Sequence, residues 1–278
     1  MKTCPHKLLQ SPLLGRWVKF RIEAITATLL LIAVSTVYAF DSTPYPGPNP
    51  PDGSAAYPWK IDLPQDFDQI GGSYSASDHY RLTKDLDFAN QDHRVAAPSF
   101  YGTMNGDYHT ISRVHIDQPT TIGVALFKEL QSGSLVQRLA ITDSYFRGHS
   151  AVAPIVAAMQ SGSCVEECYS QRNTVIAETG QPAAGISSGG AYITPSAVVS
   201  NSYARDNSIS CGFQTVGGIT GYNDARVEYC YTAGNTLIAP NFVGGIVGYG
   251  TSTGSIAYSY SDATNNPSPQ VGSYFSGV

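Results

Sequence analysis

The chain has 278 residues, of which 42% are hydrophobic and 13% are charged, and its formal net charge at pH 7 is −5. Residues 1–39 hold 5 of the 16 Lys and Arg but one of the 21 Asp and Glu, so the remainder carries 11 basic and 20 acidic residues, a net charge of −9. An acidic chain without a basic stripe argues against nucleic acid or an anionic lipid surface as the main partner.

Residues 1–39 carry the pattern of a secretory signal peptide. A basic region up to Arg21 is followed by an apolar run, Ala24–Val34, and by the A-x-A-like end Val37-Tyr38-Ala39. The apolar run is shorter than the ~20 residues that a spanning helix needs, so cleavage after Ala39 is favoured over an uncleaved membrane anchor. The sequence therefore predicts export, with membrane contact only through this segment if it is retained.

Residues 40–58 are predicted to form a linker, because their prolines disfavour helix and central strand and favour an extended spacer. Residues 59–121 are predicted to form an N-terminal, β-rich capping segment for the repeats that follow. A short helix is expected near its start, since Pro64 suits a first helical turn. Further on, the Asn105-Gly106 pair predicts a β-hairpin.

The chain repeats itself over residues 122–278, and this periodicity determines the predicted fold. A five-residue core recurs at spacings of 29, 34, 28 and 29 residues, beginning at Val136, Val165, Val199, Val227 and Ile256. Apolar residues do not recur at helical spacing, which argues against an α-solenoid, and three short β-branched runs fit each period. The sequence therefore predicts an all-β solenoid, a β-helix of about five coils in which each coil buries its apolar face against its neighbours.

Side chains within each core are predicted to alternate between the interior and the surface. Val165, Cys168 and Ser170 point inward, and Glu167 lies at a corner. The same assignment predicts an external column of four tyrosines on one face, Tyr169, Tyr203, Tyr231 and Tyr260. Such a column stabilises stacked coils through aromatic contacts, and its alternative role is a platform for a carbohydrate ligand.

Four cysteines lie outside the predicted signal peptide: Cys164, Cys168, Cys211 and Cys230. Cys168 and Cys230 occupy the repeat position taken elsewhere by Ser202 and Ser259, so each is predicted to be a small interior residue. At ~4.8 Å per coil these two lie roughly 10 Å apart, too far for a disulfide. Other pairings stay open, and the sequence contains no zinc-type Cys-x-x-Cys pair.

Five segments of this sequence carry a resemblance to a known family: Tyr80–Phe88, Phe100–Ile111, Leu126-Phe127, Val216–Tyr222 and Val243–Tyr249. Together they resemble the GLUG-motif β-helix proteins. These are bacterial exported chains similar to haemagglutinin-like adhesins and to the non-catalytic N-terminal regions of immunoglobulin-cleaving metallopeptidases. The resemblance covers about residues 80–278. It implies a right-handed parallel β-helix and a secreted, periplasmic or cell-surface location, and it implies no single activity.

The sequence offers little material for catalysis. No His-Glu-x-x-His motif is present, so a zinc peptidase site is not predicted. A carbohydrate-active β-helix, of polysaccharide lyase or hydrolase type, is the alternative function, and it needs paired carboxylates or a calcium site. The candidate pairs are Asp85 with Asp87, on one strand face, and Glu166 with Glu167, divided between a face and a corner. No catalytic residue, cofactor or metal ligand is assigned.

The preferred function is a non-enzymatic solenoid, secreted or on the cell surface, that contacts a host or cell-surface protein or glycan. Its weak ligand-platform candidates are the four column tyrosines. The printed chain ends soon after Val271-Gly272 begins another copy of the repeat. An uncovered last coil would expose strand edges, so this end is expected to be truncated, covered by another molecule or prone to self-association.

Overall fold

The computed structural model describes residues 50–93, 99–180, 182–189 and 196–262. The predictions for the signal peptide, for most of the linker and for the last repeat copy lie outside these residues. Within them the chain forms 27 short strands and one short 3-10 helix, and every strand pairing is parallel. No helix among the described residues has the length and hydrophobicity to cross a bilayer. The predicted β-helix is confirmed, as a parallel β-solenoid of about six turns.

Equivalent strands of successive turns pair to form two long sheets. Sheet 1 contains β1 (Trp59–Ile61), β2 (His79–Leu82), β4 (Thr103–Asn105), β8 (Leu135–Gln137), β12 (Cys164–Glu166), β16 (Val198–Ser200), β21 (Arg226–Glu228) and β26 (Ser255–Ala257). Sheet 2 contains β3 (Leu86–Asp87), β5 (Thr110–Ser112), β9 (Ala140–Thr142), β13 (Tyr169–Gln171), β17 (Tyr203–Arg205), β22 (Tyr231–Ala233) and β27 (Tyr260–Ser261). Both sheets run continuously past residue 121.

The remaining strands complete each turn. Sheet 3 contains β6 (His115–Val124), β10 (Tyr145–Val152), β14 (Thr174–Ala177), β15 (Ala183–Ala184), β18 (Ser208–Cys211), β19 (Thr215–Gly217), β23 (Thr236–Ile238) and β24 (Phe242–Gly244). Sheet 4 contains two pairs, β7 (Phe127–Leu130) with β11 (Val156–Met159) and β20 (Thr220–Asn223) with β25 (Val247–Gly250). Ser187 joins these pairs through bridges to Val156 and Thr220.

The core lies inside the coil and is made of columns of equivalent residues. One column is β-branched and fully buried, with the register Val136–Val165–Val199–Val227. Burying one such side chain stabilises the fold by roughly 1.5–3 kcal/mol before entropy costs. Because each column is contributed by residues about one period apart, the sequence repeat specifies the interior directly.

The predicted hairpin at Asn105-Gly106 is wrong. β4 ends at Asn105 and pairs with β2 and β8, whereas β5 pairs with β3 and β9, so the two strands lie in different sheets. Gly106 instead turns the corner between sheets 1 and 2. A Cβ atom there would lie 2.3 Å from the carbonyl oxygen of Arg138 in the next turn. The Asn-Gly signal is local, and pairing between turns overrides it.

The predicted short helix is confirmed as the 3-10 helix Pro64–Gln69, with Pro64 in its first turn. Asp66 fixes its start, because this carboxylate accepts hydrogen bonds of 2.8 Å from the backbone N–H groups of Asp62 and Leu63. Burial raises the pKa of Asp66. The helix therefore owes its start to a buried acidic side chain as well as to the proline.

The Val-Gly-Gly-Ile repeats require glycine for close backbone approach. A Cβ atom on Gly217 would lie 1.8 Å from the carbonyl oxygen of Thr220, and one on Gly244 would lie 1.8 Å from that of Val247. Both distances are well below van der Waals contact, so the tight link between sheets 3 and 4 excludes any side chain at these positions.

Candidate functional site

Four tyrosines form the column predicted on sheet 2. Strand register aligns Tyr169 with Tyr203, Tyr203 with Tyr231, and Tyr231 with Tyr260. The rings of Tyr169 and Tyr203 stack at 4.8 Å and 3°, and those of Tyr231 and Tyr260 stack at 5.6 Å and 4°. The neighbouring Cys168 is buried, as predicted. The repeat thus fixes both the column and the direction in which it faces.

A second pair of tyrosines lies at the corner that precedes this column. Tyr229 and Tyr258 stack at 4.9 Å and 10°. Tyr229, Tyr231, Tyr258 and Tyr260 are 55%, 40%, 79% and 61% exposed, and we call these four residues the tyrosine patch. The stacked pair at the corner was not predicted from the sequence, although each of its members lies two residues before a column tyrosine.

Stacking determines what the tyrosine column offers to a ligand. Rings that are nearly parallel and about 5 Å apart cover each other's faces. A sugar ring that packs against an aromatic face therefore cannot enter between Tyr169 and Tyr203, or between Tyr231 and Tyr260. The column presents ring edges and hydroxyl groups, and its stacked faces stabilise neighbouring turns.

The candidate carboxylates Asp85 and Asp87 are each held by the following turn. Asp85 accepts hydrogen bonds from the backbone N–H of Thr110 at 2.8 Å and contacts the His109 ring at 3.2 Å. Asp87 forms an ion pair with Arg113, with one Nε–Oδ1 distance of 2.7 Å. The Thr110 N–H lowers the pKa of Asp85, and Arg113 lowers that of Asp87. A carboxyl group that acts as a general acid needs a raised pKa, whereas the pKa values of Asp85 and Asp87 are both lowered.

The second candidate pair, Glu166 and Glu167, is also tied to neighbouring turns. Glu167 accepts hydrogen bonds from Arg138 at 2.8 Å and from the Tyr108 hydroxyl at 3.0 Å. These two contacts lower the pKa of Glu167. Glu166 lies 3.5 Å from the Asn201 amide nitrogen. Positive φ at Glu167 confirms the predicted corner, which separates this residue from Glu166 on sheet 1.

The four cysteines are free thiols. Cys168 and Cys230 are buried, and burial raises the pKa of Cys168 to about 12 and that of Cys230 to about 11. Their Sγ atoms lie 3.2 and 3.3 Å from the carbonyl oxygens two residues earlier, where the Ser202 hydroxyl makes the same contact at 2.7 Å. Cysteine and serine are thus interchangeable interior residues here, as predicted.

A groove of about 800 Å³ lies over sheet 4 and the adjoining ends of sheet 3. It is lined by Ile122, Gly123, Lys128, Glu129, Ser150, Ala151, Ala158, Thr179, Gly180, Pro182, Phe213, Tyr222 and Asp224. Ile122 and Phe213 are 59% and 55% exposed, unusually high for large apolar side chains that border one concavity. Mixed apolar and polar walls of this size are typical of small-ligand sites. The sequence did not predict this groove.

The described residues contain no recognisable metal-binding site. No group of three or more His, Cys, Asp or Glu side chains among them is arranged to hold a metal ion.

Comparisons with known proteins do not identify a family for this chain. No protein-family model matches the chain. Halomucin from Haloquadratum walsbyi is 28% identical over 154 residues, which is half of this chain and 2% of halomucin. A candidate immunoglobulin A1 protease from Bacteroides ovatus has 14% identity and a TM-score of 0.45, over 76% of this chain and 86% of that chain. The GLUG-motif assignment stays a prediction.

Proposed function

We propose that this chain is an exported, non-enzymatic β-helix of the GLUG-motif type that contacts a protein or glycan at a cell surface. The tyrosine patch is the observation that carries this proposal. Its four rings are 40–79% exposed and occupy two adjacent turns. Clustered, exposed aromatic side chains mark interaction surfaces, and tyrosine is enriched among residues that dominate binding energy.

A buried column of asparagines holds neighbouring turns together, which supports a scaffold role. Asn173, Asn207 and Asn235 form a buried ladder in which each side-chain oxygen accepts the backbone N–H one turn earlier, from Ser144, Asn173 and Asn207 at 2.9 Å. Their amide nitrogens donate to backbone carbonyls. Such a fully satisfied network stiffens the surface on which the patch is displayed.

The similarity to halomucin, a protein named as a mucin, supports an exported location. Because the chain spans 2% of that protein, the similarity does not extend to its activity or partners. The candidate carboxylates support a non-enzymatic role, since Asp87 and Glu167 are both paired with arginine.

Binding to arrays of immobilised glycans and extracellular proteins tests this proposal. We expect a ligand whose binding is lost in the double variant Tyr231→Ala/Tyr260→Ala. Tyr101→Ala is the matched control, because Tyr101 is 53% exposed and lies outside the patch. Binding that is equally reduced by Tyr101→Ala, or unchanged by the double variant, would remove the patch from the proposal.

The groove supports the second candidate, a carbohydrate-active enzyme, because two carboxylates, Glu129 and Asp224, line it. Release of reducing ends or unsaturated sugars by the wild-type chain, abolished by Glu129→Gln, would establish this alternative and overturn the non-enzymatic role. We expect no such release.

A further inference from the structure

The outward column on sheet 4 runs Glu129–Ala158–Gly189–Tyr222–Tyr249. Glu129 pairs with Ala158, and Tyr222 pairs with Tyr249. Gly189 is opposite both Ala158 and Tyr222, because the bridges Val156–Ser187 and Ser187–Thr220 set the register two residues earlier. The Tyr222 N–H donates to the Ser188 carbonyl at 3.0 Å, as this register requires. The aromatic ladder of sheet 4 therefore stops at a glycine.

Among the described residues, this interruption leaves Tyr222, which lines the groove, with an aromatic partner on one face of its ring. That face stacks on Tyr249 at 5.1 Å and 26°, and Phe242 packs against Tyr249 at 5.1 Å. Gly189 has no side chain to cover the free face, and Ala158 beyond it contributes a methyl group. Tyr222 and Ala158 both line the groove. Within the part of the chain that the structure describes, the ring is thus supported from behind by Tyr249 and has no second ring stacked in front of it.

Hydrogen-bond acceptors border this wall. Glu129 is oriented by the Gln160 amide, whose nitrogen lies 2.5 Å from its carboxylate, and Asp224 accepts from the Thr253 hydroxyl at 3.3 Å. Lys128 is the cationic side chain in the groove lining. Two carboxylates against one ammonium group favour hydroxyl donors and disfavour phosphate, sulfate or carboxylate ligands.

We propose that the groove binds a neutral oligosaccharide, with one sugar ring packed on the free face of Tyr222 and hydroxyl groups donated to Glu129 and Asp224. A pyranose has an apolar face of C–H groups and a rim of hydroxyls, which matches an aromatic wall bordered by acceptors. Ile122 and Phe213 extend the apolar contact beyond that ring. This inference goes beyond the proposed surface function, because it assigns a ligand to a site other than the tyrosine patch.

Isothermal titration tests the assignment, with neutral gluco-, manno-, galacto-, xylo- and N-acetylglucosamine hexaoses as probes and hexagalacturonate as the anionic control. We expect at least one neutral hexaose to bind, and hexagalacturonate to bind at least about tenfold more weakly. Tyr222→Ala should weaken binding of the neutral hexaose about tenfold, whereas Tyr222→Phe should retain it, since the ring face carries the contact.

A second variant keeps the test independent of folding. Ala158→Leu leaves Tyr222 in place and fills the space before its free face, so it should also abolish binding while the melting temperature stays near that of the wild type. No binding of any neutral hexaose at about 1 mM would overturn the groove assignment. So would equal binding by wild type, Tyr222→Ala and Ala158→Leu.

Failure here is distinguishable from failure of the proposed function. Saccharide binding lost in Tyr231→Ala/Tyr260→Ala but kept in Tyr222→Ala would overturn the groove and leave the surface role standing. Cleavage of a bound hexaose would overturn the non-enzymatic role and leave the groove as the binding site.

Discussion

The corner between sheets 1 and 2 has one backbone conformation but is filled in two ways. Arg138, Glu167, Tyr229 and Tyr258 occupy equivalent positions with φ of 54°, 51°, 53° and 49°. In the ion-pair turns, which carry Arg138 and Glu167, the corner side chains form a salt bridge between turns. In the tyrosine turns, which carry Tyr229 and Tyr258, they stack as aromatic rings. The corner thus keeps the same backbone conformation with different side chains, so these side chains can differ between turns without changing the solenoid.

The largest expected effect comes from Gly217, in the turn that leads into the tyrosine turns. Gly217→Ala should destabilise the fold by about 3–5 kcal/mol, because the new Cβ collides with the Thr220 carbonyl and forces the backbone to move. Thermal and urea unfolding followed by circular dichroism measure this loss. Gly133→Asn, before the ion-pair turns, is the control.

Unlike Gly217, Gly133 has a positive φ of 80°, but a Cβ there meets no atom within 4 Å, and asparagine tolerates this conformation. We therefore expect a cost below about 1 kcal/mol for the control. Equal losses in the two variants would contradict close backbone approach as the reason for glycine at position 217.

Asn207→Ala should give the next largest effect, because Asn207 links the two regions. Its side chain accepts the Asn173 N–H at 2.9 Å and donates to the Ser170 carbonyl at 3.1 Å, and the substitution removes both of these buried hydrogen bonds. We expect a loss of about 2–4 kcal/mol. Separate unfolding of the ion-pair and tyrosine turns, visible by hydrogen exchange, would sharpen the comparison. Asn201→Ser, on the exposed corner, should leave exchange protection of the ladder unchanged.

The sequence repeat predicted the features that depend on equivalent positions. The interior location of Cys168, the outward column at Tyr169 and the corner at Glu167 all follow from register, since a parallel solenoid stacks each residue on its copy one period away. The hairpin at Asn105-Gly106 failed for the same reason, because local turn chemistry competes with pairing between turns.

The groove could not be predicted in this way. Ile122 and Phe213 border it from turns about ninety residues apart in sequence, and no repeat position relates them. The free face of Tyr222 depends on Gly189, where the copy of the aromatic residue is missing. The repeat predicts only what equivalent positions share, so it does not predict a groove whose lining depends on positions where the repeat is broken.

The tyrosine stack should contribute less than the buried ladder. Tyr229→Ala should destabilise the chain by about 0.5–1.5 kcal/mol through loss of ring stacking on Tyr258, and roughly 1 M NaCl should not change this value. Tyr229→Phe should behave like the wild type in the same urea titrations. A loss that disappears in salt would mean that the corner tyrosines act through electrostatics, as the ion-pair turns do.

The smallest effect is expected for the ion pair, and its sign follows from the pKa of Glu167. Arg138, and then Tyr108, lower this pKa from its ordinary value of 4.5, so the folded state favours the ionised carboxylate. The resulting stability is present above pH 4.5 and is lost as pH falls through the lower folded-state pKa. Glu167→Gln should therefore melt slightly below the wild type at pH 7 in dilute buffer, and the difference should shrink as the pH falls below 4.5. The pair is partly exposed, so roughly 1 M NaCl should also remove the difference at pH 7. A difference that changes with neither pH nor salt would show that Glu167 stabilises the corner by packing rather than by charge.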